Sequence, residues 1–180
     1  MRAFRQMWQR FRKEDDGAST ITFVLFLPLF VLLILSSLEM GRLLFRQVMT
    51  ERALDLTVRE LRLGIWVPTN ATELKRRICN YSAGIPNCMN EMYVDIQPVS
   101  KTTWVPMGNT PTCVDHFLAV QPNSIFQLGT SNDFMLIRAC TKFYPLVPTA
   151  GLGFALGKDA SGAYTIVAAS MFVNEPRPGN

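Results

Sequence analysis

The sequence is poor in side chains that do chemistry. It has one histidine, His116, in 180 residues, so it offers neither a two-histidine metal site nor a second imidazole to pass a proton. No nucleophile elbow, phosphate-binding loop or dinucleotide fingerprint occurs, and the glycines at 151 and 153 stand alone. Cys113 and His116 have C-x-x-H spacing, with Cys140 further on, but Cys79 and Cys88 are too widely spaced to supply the second close pair of a zinc site. Nothing in the pattern pairs Asp95, Asp115 or Asp133, which predicts solvated carboxylates. The expectation is a protein that is not an enzyme and holds no metal or cofactor. Charge is also scarce: 18% of residues are charged and 48% are hydrophobic.

The scarcity of charge has a focus. From Gly17 to Leu38 there are 22 residues without one. As a helix this run is about 33 Å long at ~1.5 Å per residue, which fits a bilayer core of ~30 Å. A buried helix of that length would carry a polar face. A cleaved secretory signal would have a shorter apolar core and a better cleavage context than Ser36-Ser37-Leu38-Glu39. The run therefore reads as a single membrane span. Before it, Arg2, Arg5, Arg10, Arg12 and Lys13 place the N-terminus in the cytoplasm, although Arg42, Arg46 and Arg52 beyond the span weaken the bias.

All four cysteines follow the span. An even number on the outer side predicts two disulfides in an oxidising compartment. Three pairings are possible. The topologically simplest joins sequence neighbours, Cys79 with Cys88 and Cys113 with Cys140. The basic excess lies at 1–16 and 39–77, on both sides of the span, and suits lipid headgroups. The outer part has no basic stripe interleaved with aromatics, so nucleic acid is not an expected partner.

The organisation predicted is a basic cytoplasmic tail at 1–16, a transmembrane segment at 17–38, a helical extension at 39–64 and an extracytoplasmic disulfide-containing domain at 65–180. In the extension, Met40, Leu44 and Val48, then Leu54, Val58 and Leu61, recur near the helical period. Gly64 suits the end of that helix and Pro68 prevents its resumption, giving a rod of roughly 45 residues, or about 68 Å. Asn70-x-x-Glu73 resembles a capping box and predicts a helix over 72–80. Strands are predicted at 92–99, 134–147 and 163–176, with loops at 122–133 and 149–162. The fold class is α+β: a long N-terminal helix with a small antiparallel sheet packed on its outer half.

The junction of tail and span carries a family likeness. Gly17-Ala18 opens the apolar run, Phe23 and Pro28 lie within it, and Glu39-Met40-Gly41-Arg42 closes it. Here the chain resembles the TadE/TadF-like pseudopilins, minor components of the tight-adherence (Flp-type) pilus machinery of bacteria. In that family a glycine precedes the hydrophobic segment. A phenylalanine follows the fifth position beyond it, a proline falls within the span and an E-x-G-R-like stretch comes after. Gly17, Phe23, Pro28, Glu39, Gly41 and Arg42 stand at those positions. FYPLVPTAGLGF and AASMFVNEP are similar to the family's C-terminal tail, while residues 64–134 carry none of the likeness.

The resemblance implies a non-catalytic subunit in the bacterial inner membrane with its C-terminal domain periplasmic. Other pilin-like subunits, the pilus assembly machinery and the lipid bilayer are its implied partners, and a prepilin peptidase would cut between Gly17 and Ala18. Such a subunit acts by packing its membrane helix beside others, with Ser36, Ser37 and Gly41 as small contacts. One position departs. The glutamate usual five residues after the glycine is Thr22 here, which removes a lipid-buried carboxylate able to pair with a neighbour's N-terminal ammonium. The other reading is a permanently anchored extracytoplasmic binding module or envelope accessory.

Overall fold

The computed structural model describes residues 18–103, 112–114, 121–149 and 151–175. Its dominant element is α1 (Ala18–Arg62), a helix of 45 residues, roughly 68 Å long. Arg59 and Arg62 sit in its last turn, where cations complement the helix dipole. The helix stops at Gly64, whose φ is 65°. The Gly64 N–H donates to the Leu61 carbonyl and the Ile65 N–H to that of Glu60, a Schellman closure that needs a residue tolerant of positive φ. Pro68 follows. The second helix, α2 (Ala71–Tyr81), is capped by the Asn70 side chain, which accepts the Glu73 N–H. Glu73 reaches back one residue further than a capping box requires, accepting from the Thr69 N–H, the Thr69 hydroxyl and the Trp66 indole.

A short turn, α3 (Cys88–Glu91), leads into β1 (Met92–Val99). Two further strands, β2 (Phe134–Phe143) and β3 (Tyr164–Val173), complete a three-stranded antiparallel sheet in the order β1-β2-β3, and α4 (Leu152–Ala155) lies between the last two. The second strand ends before the predicted boundary because Pro145 and Pro148 have no N–H to donate to a ladder.

One sheet face packs on the outer half of α1. Val94, Ile96, Ile137 and Ile166 meet Leu54, Val58 and Leu61 of α1 and Leu74 and Ile78 of α2 in one buried cluster. Each fully buried aliphatic side chain contributes about 1.5–3 kcal/mol. Thr50 and Thr57, both at 0% exposure, satisfy their hydroxyls on the Arg46 and Ala53 carbonyls one turn back. Met40, Leu44 and Val48 do not continue this stripe; all three are exposed. The covered side of α1 in this stretch is held by Leu43 and Thr50 instead; at about 100° per residue Leu44 and Val48 lie about 100° and 140° around the helix from Leu43.

The other sheet face is covered in part, over β1 and the middle of β2. The chain between β1 and β2 returns across it: Cys113 bonds Cys140 of β2 with Cα atoms 5.3 Å apart, and Val114 packs with Tyr93 and Cys140. Phe126 pairs with Ile96 through a parallel bridge, so the stretch expected to be loop adds a short edge contact. Under this cover lies Asp95, only 1% exposed, where a solvated carboxylate was expected. It accepts the Ile125 N–H at 2.9 Å and faces Arg138, its register partner on β2, at 3.4 Å. The neighbouring Tyr93 donates to the Asn123 carbonyl at 2.7 Å. Burial, with Asp95 alongside, pushes its phenol up to about 12. Asp133 is no bare carboxylate either: it accepts the Thr130 N–H and hydroxyl and pairs with Lys101. Asp115 and His116 lie outside the described residues.

The second disulfide, Cys79–Cys88, has Cα atoms 5.7 Å apart and ties α2 to α3. Glu60 ties α2 to α1: it accepts two bonds from Arg77 at 2.7 and 2.9 Å and one from the Tyr81 hydroxyl. The Arg77 bonds, helped by Tyr81, hold the Glu60 carboxyl below its ordinary value of 4.5. A depressed carboxylate stabilises the fold above its unfolded pKa, and the contribution fades as pH falls through the folded value. Thermal melts of the detergent-solubilised chain are therefore expected to lose stability on acidification below about pH 4.5. Glu60→Gln should lower the neutral-pH stability by about 1.5–3 kcal/mol, as for a charge-assisted hydrogen bond, and flatten the acid slope. An unchanged slope in Glu60→Gln would assign the acid sensitivity elsewhere.

Candidate functional site

The region set apart by its chemistry is the membrane-proximal half of α1. Among the described residues, α1 is the one helix long and apolar enough to cross a membrane. From Ile21 to Leu35 every large hydrophobic side chain is exposed. A run of isoleucine, phenylalanine and leucine left bare in water is unfavourable, whereas the same surface is at home in lipid. Pro28 lies within the helix. It removes one intrahelical donor, which a membrane helix tolerates where neighbours or local adjustment make good the freed carbonyl.

At the outer end of this bare stretch the segment after β2 folds back onto α1. Glu39, 5% exposed, accepts the Leu146 N–H at 3.0 Å. That N–H follows the end of β2 and has no ladder partner, so it needs an acceptor. One turn earlier, Gly151 presses on Ser36: an added Cβ there would lie 2.4 Å from the Ser36 hydroxyl oxygen and 3.7 Å from Leu32. Its φ of 57° also favours glycine. Gly153 is equally confined, since a Cβ would meet the Val147 carbonyl oxygen at 2.0 Å. Between segment and helix runs a groove of about 280 Å³ lined by Pro28, Leu32, Leu35, Ser36, Val147 and Gly151. Just above, the Arg46 guanidinium sits 4.0 Å from the centre of the Phe143 ring, and the buried Tyr164 phenol is pushed up by burial and by Glu39.

The positions singled out by sequence fall as follows. Gly17 lies outside the described residues. Ala18 begins α1, with Thr22 one turn on. Phe23 is exposed, Glu39 is buried under Leu146, and Arg42 is exposed. A Cβ added to Gly41 would meet nothing within 4 Å. Ser36, expected among the small contacts for other helices, is instead covered by the chain's own Gly151, while Ser37 donates to the Leu33 carbonyl and remains exposed. The four cysteines sit in the folded part, away from this end.

Residues 17–59 match the family model for TadE-like proteins. The matched stretch runs from the predicted cut position through the bare apolar surface and Glu39 into the start of the buried stripe, and it agrees with the likeness read from Gly17, Phe23, Pro28, Glu39, Gly41 and Arg42. No curated protein and no solved structure matches the chain. The TadE-like segment is thus a helix with two jobs along its length, a lipid-compatible half and a half that serves as spine for the sheet. Sequence missed the Glu39–Leu146 bond, which spans 107 residues. Its one signal was a carboxylate, Glu39, at the margin of the apolar run.

Proposed function

We propose that this protein is a minor pseudopilin-like subunit for assembly of a tight-adherence pilus, acting without catalysis by packing its apolar helix against other pilin-like subunits. The TadE-like match implies involvement in that assembly. On this reading α1 crosses the bacterial inner membrane once, the basic tail at 1–16 stays in the cytoplasm, and the disulfide-bearing domain lies in the periplasm. Disulfides Cys79–Cys88 and Cys113–Cys140 fit an oxidising compartment.

The observation that carries the packing role is the reach of the exposed apolar surface. It continues from Ile21 past Leu38 through Met40 and Leu44 to Val48, about 40 Å along the helix. A bilayer core covers only ~30 Å. The surplus, around Gly41, is a ridge that lipid alone does not cover and a neighbouring helix would. The test is an in-frame deletion: surface pili counted by electron microscopy should fall sharply and return when the chain is restored. Normal piliation in the deletion strain sinks the proposal.

Thr22 favours a permanent tether over a released subunit, because the carboxylate that would pair with a cut neighbour's ammonium is missing. We propose that the chain keeps its tail. The intact mass of membrane-extracted protein decides this: an N-terminus in the tail supports a tether, and one at Ala18 shows cleavage after Gly17.

A further inference from the structure

We propose that the segment joining β2 to β3 is a second membrane contact, a monotopic foot that enters the outer face of the bilayer beside α1. The inference rests on α1 spanning the membrane. Gly151 packs against Leu32 and Ser36, and Leu32 lies six residues inside the end of the uncharged run at Leu38. At ~1.5 Å per residue that is about 9 Å below the end of the run. A segment fixed to Leu32 is therefore carried to the depth at which interfacial elements sit, about 5–10 Å into the headgroup and acyl boundary.

Its surface suits that depth. Phe154 is 74% exposed, and Tyr144 and Leu146 are about half exposed. An exposed phenylalanine at the tip of a water-facing loop is a liability, whereas aromatic and leucine side chains are favoured at a membrane interface. The occupant is lipid, since the patch is continuous with the bare surface of α1 through the groove at Pro28, Leu32 and Val147.

Irregular backbone is tolerated near lipid only when its polar groups are paired, and several of those in this segment are. The Leu146 N–H goes to Glu39. Pro145 and Pro148 have no N–H, and the Pro148 carbonyl accepts from Lys158 at 2.7 Å. The Phe154, Ala155 and Leu156 N–H groups close the α4 turn on the Gly151 and Leu152 carbonyls. Exposed Arg42 lies three residues beyond Glu39, level with phosphate headgroups when Leu38 marks the hydrocarbon edge.

The test uses the full chain in vesicles of phosphatidylcholine and phosphatidylglycerol. Every cysteine described is in a disulfide, so Phe154→Cys can carry a thiol-linked environment-sensitive fluorophore. Leu146→Cys serves as a second foot position. Phe26→Cys reports the middle of the span and Leu128→Cys the far end of the domain. Emission at both foot positions should shift to the blue and be quenched by lipids spin-labelled near the headgroup. Phe26 should be quenched best by deep labels and Leu128 by neither. Quenching at Phe26 without quenching at 146 or 154 overturns the foot and leaves the span intact. No lipid quenching at Phe26 removes the span, and the foot falls with it.

Discussion

Asp95→Ala is expected to destabilise the folded domain by about 3–5 kcal/mol, the range for stripping one partner from a buried ion pair. The carboxylate is 1% exposed, and its Arg138 partner has a side chain only 13% exposed. Removing it leaves a guanidinium charge under the covering segment and takes the acceptor from the Ile125 N–H. Total stability of such a domain is typically about 5–15 kcal/mol, so the loss is a large share and should show as a lowered denaturation midpoint of the detergent-solubilised chain. Two further variants separate the causes. Asp95→Asn keeps an acceptor for Ile125 and should fall between wild type and alanine. The pair Asp95→Leu with Arg138→Met removes both charges and should recover much of the stability. A wild-type midpoint in Asp95→Ala would mean that water reaches the pair and the cover over this face is loose.

Asp95 also marks where sequence stops being informative. In the alternation Tyr93, Asp95, Gln97 it reads as the wet side of a half-buried strand, and a three-stranded sheet against one helix ordinarily leaves such a face in water. What covers it is a returning chain between β1 and β2, held by Cys113–Cys140, and no local pattern announces that path. Arg138 becomes its neighbour only through strand register. Other elements were legible because their causes are local. Gly64 ends α1 through its own positive φ, Asn70 caps α2 three residues before Glu73, and the strands are β-rich runs of eight to ten residues. The long apolar helix was legible for the same reason, since its length and lack of charge need no tertiary context.

The membrane-proximal site was half legible. The run from Gly17 and the Glu39-x-Gly41-Arg42 close were visible as a pattern. That Glu39 would be roofed by Leu146, and Ser36 by Gly151, depends on a fold-back more than a hundred residues later. The exposure of Leu44 and Val48 was hidden by an i, i+4 spacing that drifts about 40° around the helix at each step and carries them away from the covered side. The outcome matters for function, because Met40, Leu44 and Val48 are exposed surface while Leu54, Val58 and Leu61 are core.

That ridge supplies the second large effect. Leu44 and Val48 are 49% and 55% exposed, so the double variant Leu44→Glu/Val48→Glu should fold with a stability within about ±0.5 kcal/mol per site. In a pilus assembly it would force carboxylates against apolar helices. The effective penalty for an unpaired buried charge is several kcal/mol, more than about a hundredfold in subunit affinity at about 1.4 kcal/mol per decade. The deciding measurement is therefore the number of surface pili on cells whose only copy of this chain carries Leu44→Glu/Val48→Glu, counted beside its level in the membrane. Helix packing through the ridge predicts that pili are lost while the protein level stays that of wild type. Wild-type numbers of pili on those cells would contradict it.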